Sequence, residues 1–206
     1  MGARIKICGI RRKEDIAALN RCRPDYAGFI LSEGFRRSID AETFYELESM
    51  LDKDIRRVGV FVDEDLKEIG KSFVSYLDVI QLHGHEDDDY IRSLKSISGA
   101  EIWKAVRAKT ADDIEKADSL DCDRLVIDSY VKGIAGGTGR EADTEVIKAA
   151  KVTKPFFIAG GVGENNAARL IGTLKPYGAD ISGSVETDGF KDEMKIKHII
   201  TLIRSI

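Results

Sequence analysis

Two side chains in this sequence combine a reactive chemical group with a position at the end of an apolar run. Cys8 ends the run Arg4-Ile-Lys-Ile-Cys8, and Asp128 ends the run Leu125-Val-Ile-Asp128. A cysteine thiolate can act as a general base or a nucleophile, and a carboxylic acid can donate a proton. If both runs are strands that end at one mouth of a fold, the pair predicts acid/base catalysis by Cys8 and Asp128.

Both residues also have simpler interpretations. A free cysteine is often a small buried hydrophobic residue, and an aspartate after a strand can cap a helix or turn. The next predicted helix begins only around Glu145, beyond a glycine-rich loop over residues 132–140, which argues against a capping role for Asp128. Cys22 and Cys122 fall before strands, toward the opposite face of a barrel, and we interpret both as structural.

Two glycine-rich segments follow the seventh and eighth apolar runs, Ile158-Ala-Gly-Gly-Val-Gly163 and Ile181-Ser-Gly-Ser-Val-Glu186. Glycine lets backbone N–H groups approach an anion, and the loops after strands seven and eight of a (β/α)8 barrel form a recurring phosphate site. The alternative is a pair of tight turns. We predict that these two loops bind phosphate.

A third glycine-rich segment, residues 133–139, differs from a nucleotide-binding loop. It lacks the closing Lys-Ser/Thr pair, and its glycine spacing does not match the dinucleotide fingerprint. The segment is more typical of a lid or of a loop at the edge of a phosphate site.

Further candidates follow the second and fourth apolar runs. Arg36 and Arg37 are adjacent, and arginine side chains usually lie on the solvated surface. If one of the two lies at a barrel mouth, its planar guanidinium could bind a carboxylate. Gln81, His83 and His85 surround the end of the fourth run, where no acidic residue completes a metal-ligand spacing. We therefore predict no metal and interpret His83 as a lining or structural residue. As residues that line the mouth, Gln81 and His83 are candidates for substrate binding.

Short apolar runs and amphipathic segments alternate along the whole chain and predict eight strands, each followed by a helix. The predicted strands after the Cys8 run are Tyr26–Leu31, Val58–Val62, Val79–His83, Glu101–Val106, Arg124–Asp128, Phe156–Ala159 and Ala179–Ser182. Eight such units in 206 residues favour one α/β domain, a (β/α)8 TIM barrel over residues 1–206, and an open doubly wound sheet is the rival.

Helix boundaries follow from capping residues. The pattern predicts Asp40 as the N-cap of a helix over Ala41–Leu51, Asp63 as the N-cap of a helix that ends near Phe73, and a last helix over Ile196–Ile203.

Composition excludes several classes of partner. The net charge is −4, the sequence pI is near 5.5 and the basic residues are dispersed, so we expect no nucleic acid partner. No apolar run is long enough to span a bilayer, and no secretory signal is predicted at the start. The three cysteines form an odd set without metal spacing, which favours reduced thiols in the cytoplasm.

Taken in order, these motifs resemble phosphoribosylanthranilate isomerase, an enzyme family of tryptophan biosynthesis. The resemblance covers the whole chain, and the ordered set is more specific than any one motif. It rests on Lys6–Ile10, Gly28-Phe29 with Arg36-Arg37, Val58–Val62, Gln81–Gly84, Leu125–Asp128, Gly136–Gly139, Ala159–Gly161, Asp180–Glu186 and Gly189–Asp192.

The resemblance implies a cofactor-free Amadori rearrangement of N-(5-phosphoribosyl)anthranilate. By motif position, Cys8 would be the general base and Asp128 the general acid. Arg37 rather than Arg36 would hold the anthranilate carboxylate, and Asp180 would lie near the bridging nitrogen. The phosphate would be held by the last two loops, through Gly160, Gly161, Ser182, Gly183 and Ser184. The resemblance further implies a small phosphosugar as substrate, with no nucleic acid and no membrane as partner, and a monomer or a homodimer.

Two other functions stay open on sequence alone. One is a different phosphosugar isomerase or epimerase on the same barrel, and the other is a non-catalytic phosphosugar-binding protein. Relaxed-specificity isomerases use two aspartates and do not need a cysteine on the first strand, so Cys8 argues against them. A binding protein would be expected to lose Cys8 or Asp128, and both are present.

Overall fold

A closed barrel of eight parallel strands forms the centre of the computed structural model, which describes residues 2–129 and 144–206. Each strand pairs with the next along the chain, and the first pairs with the last to close the barrel. The strands are β1 (Arg4–Cys8), β2 (Tyr26–Ile30), β3 (Arg56–Phe61), β4 (Val79–Leu82), β5 (Glu101–Ala108), β6 (Arg124–Ser129), β7 (Phe156–Ile158) and β8 (Gly178–Ile181). The predicted fold class is confirmed, and closure excludes the open sheet.

A helix follows each barrel strand. These are α1 (Lys13–Cys22), α2 (Ala41–Met50), α3 (Leu66–Ser72), α4 (Asp88–Ile97), α5 (Ala111–Asp118), α6 (Thr144–Ala149), α7 (Ala167–Leu174) and α8 (Glu193–Arg204). Between β8 and α8 lie a 3-10 turn (Gly183–Val185) and an antiparallel hairpin of β9 (Glu186–Thr187) and β10 (Phe190–Lys191). Across the described ranges, the helices are too short or too polar for any of them to cross a membrane.

One of the two predicted helix caps is confirmed and the other is wrong. Asp40 caps α2, because its carboxylate accepts a hydrogen bond from the backbone N–H of Thr43 at 2.8 Å. Helix α3 is capped by Asp65 instead of Asp63. Asp63 has a left-handed backbone (φ 51°), and its carboxylate binds the backbone N–H and ring of His85. The left-handed backbone at Asp63 delays the start of the helix. The contacts of the Asp63 carboxylate with His85 join the loop after β3 to the loop after β4.

The amino-terminal part of the barrel interior is filled by aromatic rings. Tyr26, Trp103 and Phe157 contact one another with ring centroids 4.6 to 5.5 Å apart. The Trp103 indole N–H donates to the Glu101 carboxylate at 3.0 Å, so the buried ring keeps a polar partner. Because these side chains fill the amino-terminal end of the interior, we expect a ligand to bind at the carboxyl-terminal mouth.

A buried ion pair fixes the loop that follows β4. The Lys104 ammonium on β5 donates to Glu86 at 2.6 Å and to the carbonyl of Gly84 at 2.7 Å. Glu86 in turn accepts hydrogen bonds from the backbone N–H groups of Gly84 and Asp63. The pair therefore holds the backbone directly after His83, one of the candidate site residues.

Lys104→Met should lower the free energy of unfolding by about 3 to 5 kcal/mol, because it leaves the Glu86 carboxylate buried without its counter-ion. Urea denaturation of the wild type and the variant measures this loss. The matched control is Lys95→Met, which removes a surface lysine paired with Asp121 and Asp123 and should cost about 1 kcal/mol or less. Equal losses in the two variants would contradict the structural role of the pair.

Candidate active site

Polar side chains occupy the inward positions near the carboxyl ends of the strands. Val79 and Val126 belong to the cluster that fills the barrel interior. Gln81 and Asp128 lie two residues further along the same strands, so they face the same interior nearer the mouth. The strands thus bring two of the predicted site residues to one end of the barrel.

Cys8 faces this interior at the end of β1. Its Sγ lies against Gly28 of β2, where an added Cβ would stand only 2.9 Å from the sulfur. The side chain is buried, with 9% of its surface exposed. Burial raises the pKa of the Cys8 thiol above its usual range, while the nearby Lys6 ammonium opposes that rise. The thiolate that a general base requires thus depends on the charges around it.

Asp180 lies on β8 beside Cys8 and Lys6. Its Oδ2 accepts a hydrogen bond from the Lys6 ammonium at 2.8 Å, and Lys6 and Asp180 are direct neighbours in the β1–β8 pairing. Its Oδ1 is buried and has no hydrogen-bond partner among the described residues. Asp180 therefore presents one acceptor that the described protein leaves for a ligand.

His83 and Asp128 come together on the opposite side of the interior. His83 Nε2 lies 3.8 Å from Asp128 Oδ2, too far for a direct hydrogen bond but close enough for one ligand hydroxyl to contact both groups. Burial, helped by Arg107, lowers the pKa of His83 to about 3, so its imidazole is neutral near pH 7. Within the described residues, His83 Nε2 and Gln81 Oε1 are buried without a hydrogen-bond partner.

Arg37 is held in a bidentate ion pair in the loop after β2. Its Nε and Nη2 donate to the Glu186 carboxylate at 2.7 and 2.9 Å, which leaves Nη1 for another acceptor. Lys191 also donates to Glu186 at 2.9 Å. Burial opposes the Glu186 charge, but hydrogen bonds from the two cations lower the pKa of Glu186 to about 2. Arg36 reaches the same carboxylate at 3.3 Å from a largely exposed position.

The two predicted phosphate loops lie side by side at the mouth. Gly160 and Gly161 adopt left-handed backbones (φ 77° and 66°), which an L side chain rarely adopts. The Ser182 hydroxyl donates to the carbonyl of Cys8 at 2.9 Å, and the Ser184 hydroxyl donates to the carbonyl of Val162. Because both hydroxyl protons are used inside the protein, backbone N–H groups are the donors left for an anion in these loops.

Sequence reasoning missed four charged residues that the structure places in or around this mouth. They are Lys6, Arg107, Glu186 and Lys191. Lys6 carried a signal, because it lies two residues before Cys8 and so on the same strand face, whereas Arg107 lies one residue beyond the predicted fifth strand. Arg107 Nε is buried without a hydrogen-bond partner in the described ranges. The pairing of Glu186 with Arg37 had no local signal, since the two residues are far apart in the chain.

Some predictions concern residues apart from this site. The glycine-rich segment at residues 133–139, with Gly136–Gly139 of the resemblance, lies outside the described residues. Cys22 and Cys122 are free cysteines whose thiols contact the backbone carbonyls of Glu193 and Ala117. Neither belongs to the cluster at the mouth.

Comparisons with known proteins agree on one family. A family model described as N-(5'-phosphoribosyl)anthranilate (PRA) isomerase matches residues 5–201. The N-(5'-phosphoribosyl)anthranilate isomerases of Thermoanaerobacter sp. (strain X514) and Clostridium acetobutylicum are each 41% identical to this chain over 204 residues, covering 98% of this chain and 98% of the relative.

Solved structures of that family have the same fold. The phosphoribosyl anthranilate isomerase of Thermotoga maritima superimposes with a TM-score of 0.87 at 27% identity, covering 99% of this chain and 100% of that one. A phosphoribosyl anthranilate isomerase in complex with reduced 1-(o-carboxyphenylamino)-1-deoxyribulose 5-phosphate gives a TM-score of 0.83 at 26% identity, with the same coverage.

The depressed pKa of His83 predicts a specific loss of stability in acid. Between pH 6.5 and about 3 the unfolded chain binds a proton at this imidazole and the folded protein does not. Wild-type stability should therefore fall relative to His83→Gln as the pH drops below 6.5, by up to about 1.4 kcal/mol per pH unit.

Urea denaturation at several pH values, with an NMR titration of His83, measures this effect. His198→Gln is the matched control, because it removes an exposed imidazole and should leave the pH dependence in place. A His83 signal that titrates between pH 5 and 8 would contradict the neutral, buried state.

Proposed function

The chain belongs to the N-(5'-phosphoribosyl)anthranilate isomerase family, and we propose that Cys8 and Asp128 are the general base and general acid of its reaction. That reaction is an aldose–ketose isomerisation of tryptophan biosynthesis. It converts N-(5-phosphoribosyl)anthranilate into 1-(2-carboxyphenylamino)-1-deoxyribulose 5-phosphate. Full-length relatives at 41% identity favour this function over another phosphosugar isomerase and over a non-catalytic binding protein.

One observation carries the proposed roles. Cys8 ends β1 and Asp128 lies near the end of β6, both on the inward face and at the same mouth, separated only by β7 and β8. A base and an acid held on different strands of one rim can act on two atoms of one substrate without changing position.

The chemistry is two proton transfers followed by a tautomerisation. Asp128 donates its proton to the furanose ring oxygen, the C1'–O bond breaks, and the nitrogen lone pair forms a protonated Schiff base. The Cys8 thiolate then removes the proton from C2', and the electron pair of that C–H bond forms the enolamine. The enolamine tautomerises to the ketone. Asp128 must start protonated and Cys8 deprotonated for this sequence to run.

Polar groups around the mouth suit the remaining parts of the substrate. We assign the anthranilate carboxylate to Arg37, whose Nη1 is left over from the pair with Glu186. The unpartnered Oδ1 of Asp180 suits the bridging N–H, which is a donor. Gln81 and His83 suit the ribose hydroxyls, because both can accept or donate hydrogen bonds.

The phosphate is assigned to the loops after β7 and β8. The left-handed backbones of Gly160 and Gly161 and the turn from Ser182 through Gly183 to Ser184 supply N–H groups without a covering side chain at the glycines. We further propose a cytoplasmic location, supported by three free cysteines.

The oligomeric state is proposed to be a monomer or a homodimer. A relative supports the homodimer, since one solved structure is described as monomers generated from the dimeric isomerase of Thermotoga maritima. It superimposes with a TM-score of 0.82 at 27% identity, covering 99% of this chain and 100% of that one.

Cys8→Ser and Asp128→Asn should each lower kcat by about 100- to 10,000-fold, because each removes one proton transfer. The assay follows the fluorescence of freshly generated phosphoribosylanthranilate, and circular dichroism checks that the fold is kept. Cys22→Ser, which changes a thiol remote from the mouth, is the control and should retain full activity. Near-normal turnover in either site variant would remove that residue from its proposed role.

Arg37→Met should raise KM by about tenfold or more with a smaller change in kcat, since it removes a charged hydrogen bond to the substrate carboxylate. Glu186 keeps Lys191 as a counter-ion in this variant, so the loop should stay folded. Arg36→Met is the matched control and should change KM little, because Arg36 is largely exposed. A rise in KM as large in Arg36→Met as in Arg37→Met would contradict the assignment of the carboxylate to Arg37.

A further inference from the structure

Lys6 is a buried charge that the proposed acid/base steps do not use. Its side chain is fully buried, at 0% exposure, in the interior of the barrel. Taking an ammonium group out of water costs several kcal/mol unless the charge is paired and hydrogen-bonded. An aliphatic side chain would fill this position at lower cost, so the charge itself requires an explanation.

The first contact of Lys6 is with Asp180. The Lys6 ammonium donates to Oδ2 of Asp180 at 2.8 Å, across the pairing of β1 with β8. Burial disfavours the charge, but the charges and hydrogen bonds of Asp180 and Cys8 together outweigh burial, and the pKa of Lys6 lies above its usual value. The Lys6 side chain is therefore a permanent cation. By binding Oδ2 it fixes the carboxylate plane and leaves Oδ1 as the acceptor without a partner in the described part of the chain.

The second neighbour of Lys6 is the thiol of Cys8. A Cβ added to Gly28 would lie 2.9 Å from Cys8 Sγ and 3.1 Å from Lys6 Cε, so these two atoms are no more than about 6 Å apart. The absence of a side chain at Gly28 is what allows both groups to occupy this corner. Lys6 is thus close enough for its charge to act on the sulfur through the low-dielectric interior.

Other charges also act on this thiol. The Lys191 ammonium and the Arg37 guanidinium are positive, and the Asp180 carboxylate is negative. Lys191 donates to the carbonyl of Ser182, whose hydroxyl in turn donates to the carbonyl of Cys8, and it is also paired with Glu186. Lys6 differs from these cations because it is next to the sulfur on the same strand face and is bonded to the aspartate whose charge opposes the thiolate.

We propose that Lys6 is a positioning residue of the isomerisation: its ammonium stabilises the Cys8 thiolate and orients the Asp180 carboxylate toward the substrate nitrogen. Lys6 stays protonated throughout, and the transferred proton moves only between C2' of the substrate and the Cys8 sulfur. The proposal rests on the proposed function in its use of Cys8 as the base, but the charge relation between Lys6 and Cys8 can be measured independently of turnover.

The test compares Lys6→Met/Asp180→Asn with Asp180→Asn. The double variant avoids the buried, unpaired Asp180 carboxylate that Lys6→Met alone would leave, and the pair of variants differs only at Lys6. Asp180→Asn leaves the Lys6 ammonium buried beside Cys8 without a carboxylate, so circular dichroism checks that it folds, and where it does not, the double variant is compared with the wild type. The ultraviolet absorbance of the thiolate is titrated with pH in each variant, and the signal of the same variant carrying Cys8→Ala is subtracted. The pH dependence of kcat/KM is recorded for the same proteins.

Removal of Lys6 should move the Cys8 titration to higher pH by about one unit or more, and the rising limb of kcat/KM should move with it. Asp180→Asn alone should move the titration the other way, to lower pH than in the wild type. If the Cys8 titration is the same with and without Lys6, the proposal is overturned and Lys6 is structural. Failure of the base assignment would be distinct: the titration would still shift, but Cys8→Ser would retain turnover.

Discussion

The pairing of β1 with β8 closes the barrel, and one buried ion pair lies on that seam. Lys6 and Asp180 are neighbours in the pairing, and their side chains meet at 2.8 Å inside the barrel. A buried pair of this kind contributes little net stability compared with apolar packing, but breaking it leaves an uncompensated charge. The charges therefore favour one arrangement of the first and last strands. That arrangement places the Cys8 thiol beside the Asp180 carboxylate.

A second ionic cluster lies above the seam, and it connects three loops. Glu186 on the hairpin after β8 binds both Arg37 from the loop after β2 and Lys191 from the second hairpin strand. Gly9 has a left-handed backbone, and an added Cβ would clash with Arg37 Cδ, so the Arg37 side chain lies directly over the turn after Cys8. The hairpin thus holds the guanidinium in place, which lowers the ordering cost of the carboxylate binding that we propose for it.

Among the described residues, buried polar atoms without a hydrogen-bond partner are more numerous at the mouth than at the opposite end of the barrel. Around the aromatic rings at the amino-terminal end, Glu101 binds Arg56, Trp103 and Arg124, although Arg124 Nε is buried without a partner among the described residues. Near the carboxyl-terminal ends, Gln81 Oε1, His83 Nε2 and Asp180 Oδ1 are buried without partners among the described residues. A ligand that supplies hydrogen bonds to these atoms gains the stabilisation that a paired buried polar group has over an unpaired one, about 1 to 3 kcal/mol each. Aromatic packing thus fills one end of the interior, and polar atoms suited to the binding that we propose line the other.

The sequence alone determined the elements of this protein, and only the tertiary structure decided which charges meet. Hydrophobic periodicity and caps are local properties, so the eight strand–helix units, the Asp40 cap and the strand-end positions of Cys8 and Asp128 could be read from nearby residues. The predicted Asp63 cap was wrong although capping is a local property, because the carboxylate of Asp63 binds His85 from the loop after β4.

The pairs that define the mouth are remote in the chain. Lys6 and Asp180 are 174 residues apart, and Arg37 and Glu186 are 149 apart. No local pattern encodes such a contact, because only barrel closure brings the first and last units together. The strand-end positions of Cys8 and Asp128 were therefore predictable, but the charged residues that surround them, and the partners, burial and protonation of these groups, were not.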